Sequence, residues 1–173
     1  MNKLFRKNII ILAVSAGVLI VLATINFSLK SEHAKPGQPA GVSSVATSTA
    51  QCLAPATALV TKIIDGDTIV VEGGYHMRVL SIDADERGYA CYAPASQRLE
   101  ELILNKKVRL EKDISDVDQY KRCLRYVFLG QENIGLQLVK EGLAIARFYE
   151  PDIKYKQEIT LAEKTAIDNK VGC

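Results

Sequence analysis

Residues Ile9 to Ile25 form an apolar run with no charge and only Ser15 and Thr24 as polar side chains, reaching Leu29 through Asn26 and Ser28. At ~1.5 Å of rise per residue, about 20 such residues cross the ~30 Å hydrocarbon core of a bilayer. The run therefore divides the chain into a tip (1–7), a transmembrane signal anchor (8–29) and everything that follows. Lys3, Arg6 and Lys7 precede the span, whereas Lys30 and Lys35 follow it and are partly offset by Glu32. The positive-inside rule then keeps the tip in the cytoplasm and the rest of the chain extracytoplasmic, single-pass in the cell membrane. A cleaved signal peptide, giving a secreted protein, is the rival. It is disfavoured because the nearest small-x-small site, Ser48 to Ala50, lies far behind the apolar run.

Residues 30–53 read as a flexible stalk, because 31–51 are dominated by Ser, Ala, Thr, Pro, Gly and Gln with almost no large apolar side chain to repay ordering. Residues 54–173 are long enough for one domain with its own core. From Ala56 onward there are 17 Lys and Arg against 19 Asp and Glu, a net charge of −2. Bulk charge thus gives no argument for binding nucleic acid. Cys52, Cys91, Cys123 and Cys173 all follow the anchor, in a compartment that the topology makes oxidising. Two disulfides are expected, and the spacing alone leaves all three pairings open. Zinc is excluded by the absence of a C-x-x-C pair and by the isolation of His33 and His76.

Within the domain, Ala58 to Ile64 and Thr68 to Glu72 are β-branched runs around Asp65-Gly66, a hairpin signal. Gly73-Gly74 turns the chain into a third strand, Tyr75 to Ile82. Pro94 opens a helix in which Ala95, Leu99, Leu102 and Ile103 share a face. Lys107 to Lys112 and Leu124 to Leu129 read as strands, and Ile134 to Glu141 as a short helix ended by Gly142. Tyr155, Ile159, Ala162 and Ala166 line a last helix. Five strands with a helix between the third and fourth, and three helices in all, predict an α+β domain built on a closed Greek-key barrel of the OB type.

Three segments carry chemistry: Asp65-Gly66-Asp67-Thr68, then Arg78 to Glu86 (RVLSIDADE), then Asp118-Gln119-Tyr120-Lys121-Arg122. An EF-hand is excluded, because Ile69 would occupy the fifth loop position. In their order and placement the three segments resemble the staphylococcal nuclease family, over about Ala56 to Cys173. The resemblance implies a calcium-dependent phosphodiesterase acting on DNA and on RNA as well. Asp67 and Asp83 would be the Ca²⁺ carboxylates and the carbonyl of residue 84 a further ligand. Ala84 stands where the family usually has threonine. Hard oxygen donors in small number suit calcium and leave positions for water and phosphate.

By the same resemblance Glu86 orients or deprotonates the attacking water, while Arg78 and Arg122 grip the scissile phosphate with planar, permanently charged forks. Asp85 replaces the usual proline beside Glu86, an added charge that can shift it. Tyr120 and Tyr149 match substrate-facing tyrosines. Gln119 and Lys121 replace the family's lysine and glycine in the loop that presents Arg122. Attack in line with a 5′-oxygen leaving group, giving 3′-phosphate ends, and the pairing Cys91 with Cys173 and Cys52 with Cys123 are also implied. The domain is expected to be monomeric. The alternative function is a non-catalytic module binding nucleic acid or protein, which retention of both aspartates, the glutamate and both arginines disfavours. One geometric conflict stands: strict alternation along a strand ending at Ile82 puts Arg78 on the face opposite Asp83.

Overall fold

The computed structural model describes residues 51–173, so the predicted anchor and nearly all of the predicted stalk lie outside the described residues. Strand β1 (Thr57–Ile63) and β2 (Thr68–Val71) form the expected hairpin, with Ile63 opposite Ile69. The turn between them is stitched by Asp65, whose side chain accepts from the Asp67 amide at 3.0 Å. Gly73 and Gly74, at φ 84° and 78°, supply the two positive dihedrals of a tight hairpin turn into β3 (Tyr75–Val79). Helix α1 (Tyr92–Ile103) leads to β5 (Lys107–Glu111), and β6 (Cys123–Leu129) runs antiparallel to β5 and parallel to β3. With β5 also paired to β1, the cycle β1, β2, β3, β6, β5 closes a five-stranded barrel with no free edge in the ring.

The inward residues of alternating positions fill it: Val60, Ile69, Met77, Val108 and Val127 are fully buried. Helix α1 adds Leu99 and Ile103, α2 (Ile134–Lys140) adds Ile134 and Leu138, and α3 (Lys156–Asp168) adds Ile159, Ala162 and Ala166. For α1 and α3 these belong to the stripes the periodicity predicts, with Leu102 and Tyr155 only half-buried. Helix α1 begins two residues earlier than expected, at Tyr92. Pro94 is its third residue, where an amide would have no intrahelical partner anyway.

The third strand is shorter than predicted. It ends at Val79, and the chain turns through Leu80 and Ser81, the latter at φ 66°. A separate short strand β4 (Ile82–Ala84) then pairs antiparallel with β8 (Ala144–Ala146), a two-stranded ribbon that the sequence does not announce. The small strand β7 (Glu132–Asn133) is likewise additional to the five predicted. The turn is held by Ser81, whose hydroxyl meets Tyr126 Oη at 3.0 Å and whose carbonyl accepts from the Arg147 amide at 3.0 Å. Breaking the strand resets the alternation, and this brings Asp83 round to Arg78.

Both implied disulfides are present. Cys52 joins Cys123 with Cα atoms 5.4 Å apart, and Cys91 joins Cys173 at 5.6 Å. The first fastens the start of the domain to β6. The second fastens the C-terminus to the entry of α1.

Candidate active site

At one end of the barrel, the β1–β2 turn, the β3–β4 break and the loop before β6 enclose a cleft of about 560 Å³. Asp67, Arg78, Asp83, Glu86, Tyr120, Arg122 and Tyr149, seven residues singled out in the sequence, all line it. Ala84 does not. Its amide instead donates to Asp67 Oδ2 at 2.9 Å, and its methyl packs so closely under the β1–β2 turn that a Cβ at Gly66 would collide with it. Gly66 is therefore required by close packing.

Arg78 lies at the centre. One guanidinium nitrogen donates to the carbonyls of Val79 at 2.7 Å and Ile82 at 2.8 Å, which locks the strand break onto the side chain. The other reaches both carboxylates, Asp83 Oδ1 at 2.8 Å and Asp67 Oδ2 at 3.1 Å. Asp67 is buried, and desolvation pushes its carboxyl up to about 6, against the pull of Arg78 and of the Ala84 amide. Thr68 Oγ1 donates to Asp67 Oδ1 at 3.0 Å and accepts from Arg122 Nη1 at 3.3 Å, a polar link between the two halves of the site.

Arg122 is oriented by Asp118, which opens the third segment but to which the resemblance assigns no role. Asp118 Oδ2 accepts from Arg122 Nε at 2.7 Å, while its Oδ1 accepts the backbone amides of Tyr120 and Arg122, each at 2.9 Å. Its carbonyl also accepts from the Lys121 amide at 3.0 Å. An aspartate opening a turn and bonding amides two and four residues on is a recognisable local signal. Lys121, in the place of a glycine, adopts φ 64°. Tyr120 and Tyr149 are 71% and 63% exposed, so their ring faces are available to stack on bases. Arg147, beside Tyr149, also lines the cleft and is absent from the motifs.

Glu86 is exposed at the cleft wall and its side chain bonds to no other described residue. Asp85 does not crowd it by competing for the same partners. Its Oδ2 accepts the Cys91 amide at 2.8 Å, at the start of α1, where a carboxylate is favoured by the unpaired amides.

Among the described residues, no three His, Cys, Asp or Glu side chains gather as a metal cluster. Asp67 and Asp83 nevertheless meet at one positive nitrogen, so two hard carboxylate donors already converge on a point of positive charge. That donor set fits a hard divalent cation held by few protein oxygens and completed by water and phosphate, and it does not fit zinc or copper.

An OB-type barrel whose mouth pairs convergent carboxylates with two arginines and exposed tyrosines belongs to the class of enzymes that handle phosphate esters. Residues 76–173 match the family model described as staphylococcal nuclease homologue. The chain is 34% identical over 165 residues to a thermonuclease of Staphylococcus hyicus, covering 88% of this chain and 92% of that protein. It is 38% identical over 117 residues to a thermonuclease of Staphylococcus intermedius, covering 62% and 70%. With endonuclease YncB of Bacillus subtilis (strain 168) it shares 38% identity over 122 residues, 64% and 58% of the two chains. The chain belongs to the staphylococcal nuclease family. It is a nuclease, a hydrolase of phosphodiester bonds with nucleic acid as substrate, which sets aside the non-catalytic alternative.

Proposed function

We propose that this nuclease is calcium-dependent, cleaves DNA and also RNA, leaves 3′-phosphate ends, and works on the extracytoplasmic side of a membrane to which residues 8–29 anchor it. The observation that supports the chemistry is the convergence of Asp67 and Asp83 on Arg78, with Arg122 and Glu86 lining the same cleft. Asp67, Asp83 and the carbonyl of Ala84 would hold the cation. A bound Ca²⁺ would supply a fixed positive charge for the phosphate oxygens and for the water that attacks.

The chain's own groups do the remainder. Arg78 and Arg122, approaching from β3 and from the loop before β6, present charged N–H groups to the oxygens whose charge grows as phosphorus becomes five-coordinate. Both are held by carboxylates before substrate arrives, so little reorganisation is needed. Glu86, unbonded and facing the cleft, is free to take or orient a proton of the attacking water. The exposed tyrosine rings accept any base, which suits cleavage without sequence preference. Retention of both implied disulfides and the charged residues flanking the apolar run support the extracytoplasmic placement.

The test is an assay of the purified full chain in detergent on plasmid, single-stranded DNA and RNA, with Ca²⁺, with EGTA, and with Mg²⁺ alone. Cleavage restricted to the Ca²⁺ arm is expected, and equal rates with EGTA would refute calcium dependence. Glu86→Gln and Arg122→Ala should each lower turnover by roughly 10²-fold or more. Fractionation of cells with intact-mass measurement checks the anchor. A soluble species starting after Leu29 would refute it.

A further inference from the structure

A second groove adjoins the active-site cleft. It has a volume of about 360 Å³ and is walled by Tyr75, His76, Tyr120, Lys121 and Arg122, with Cys123 also lining it. Tyr120 and Arg122 line both spaces, so the groove and the cleft share a wall. Their charge differs sharply. The cleft is lined by seven acidic residues, among them Asp65, Asp118, Glu150 and Asp152, whereas no carboxylate lines the groove. Lys121 forms no ion pair among the described residues. His76 is exposed on β3, two residues before Arg78. Alternate residues of a strand share a face and stand roughly 7 Å apart, so His76 extends the line of Arg78 away from the acidic centre.

A polyanionic chain held at Arg78 and Arg122 must leave the cleft somewhere, and the domain as a whole repels it. This path offers cations and aromatic faces, and no carboxylate lines it. We infer that the groove of Tyr75, His76, Tyr120 and Lys121 is a binding subsite for the single-stranded nucleotides flanking the scissile phosphate. Basic side chains track the backbone there, and the tyrosine rings bordering the groove offer faces for bases. The subsite deepens the nuclease reading and rests on it. It makes the enzyme a reader of strand length: substrates that reach the groove are held better than those that stop at the cleft.

The experiment uses the full chain in detergent and the double variant His76→Gln, Lys121→Asn. Asparagine tolerates the positive φ at position 121. Cleavage of single-stranded oligonucleotides from a dinucleotide upward is measured with Ca²⁺. In parallel, binding of a labelled oligonucleotide is followed by anisotropy in a Glu86→Gln background over a salt series. In the unmodified chain kcat/KM should rise with length and then level off. In the double variant the rise should shrink by about threefold, the salt slope of binding should fall by about 0.7 for the phosphate that Lys121 no longer neutralises, and dinucleotide cleavage should be unchanged. An unaltered length profile and salt slope would overturn the subsite. Equal loss on the dinucleotide would overturn it too, by showing that the variant acts through Arg122. Absence of any cleavage by the unmodified chain would count against the nuclease reading, while the anisotropy arm would still decide the groove.

Discussion

Arg78 donates to Asp83 at 2.8 Å although unbroken alternation along one strand would set the two on opposite faces. Ser81 is the cause. It turns the chain at φ 66°, buries its hydroxyl against Tyr126, and lets β4 leave the barrel to pair with β8. A β-branched residue there would meet the left-handed conformation with steric strain and lose the hydrogen bond. Ser81→Val should therefore cost about 2 to 3 kcal/mol in denaturant unfolding, and depress kcat beyond what the lost stability explains. Ser81→Gly keeps the backbone and should cost only about 1 kcal/mol. Equal activity in the two variants would separate the turn from the site.

The loop that presents Arg122 contains a second left-handed residue, Lys121 at φ 64°. Its conformation is imposed by Asp118, which holds the amides on either side. Lys121→Gly should raise stability by about 0.5 to 1 kcal/mol, because the strain relieved exceeds the extra freedom of the unfolded chain. Lys121→Val should lower it. Thermal melts of the three proteins check the order. A glycine variant less stable than the parent would show that the loop is not strained there.

These two positions mark where sequence reading stops. The hairpin signals, the helix stripes and the acid and arginine motifs are legible because each is local: a period, a turn dipeptide, a spacing. Closure of the barrel follows from counting strands. The break at Leu80 and Ser81 is not legible, since the two residues together form no turn signal and the break is enforced from afar by Arg78, Tyr126 and the Arg147 amide. Asp85 looks in the sequence like a disturbance to Glu86, whereas its partner, the Cys91 amide, lies six residues on across a loop. Arg147 stays inconspicuous in the sequence because its significance is the company it keeps in space.

Away from the cleft, Glu111 ties β5 to the segment before α3. Its carboxylate accepts from Lys154 Nζ at 2.6 Å, from Tyr155 Oη at 2.7 Å and from Arg109. Desolvation opposes ionisation, but those donors outweigh it and hold the carboxyl down at about 2. A folded-state value below the unfolded one means stabilisation that is full above about 4.5 and is lost as pH falls through about 2. Glu111→Gln should thus be less stable than the parent at pH 7, and the gap should close progressively between about pH 4.5 and about pH 2. Urea unfolding across that range measures it. A gap independent of pH would mean that Glu111 contributes by packing rather than by charge.

Arg147 is the remaining cation of the cleft, and it differs from Arg78 and Arg122 in having no carboxylate partner among the described residues. Its Nε donates to Tyr149 Oη at 3.1 Å, and its guanidinium lies 5.7 Å from the centre of that ring. Its backbone is fixed by the bond to Ser81, so the charge is carried on the rigid end of β8 and not on a loose loop. The charge of Arg78 and Arg122 is shared with the carboxylates that position them, whereas that of Arg147 is not. Arg147 should therefore contribute to holding the strand more than to the chemical step. Arg147→Ala is expected to raise KM for single-stranded DNA by about three- to tenfold with kcat within about twofold of the parent, and to lower the salt slope of binding by about 0.7. Arg147→Lys should restore most of the affinity, since a point charge suffices for one backbone phosphate. A fall in kcat with KM unchanged would instead give Arg147 the transition-state role proposed for Arg78 and Arg122.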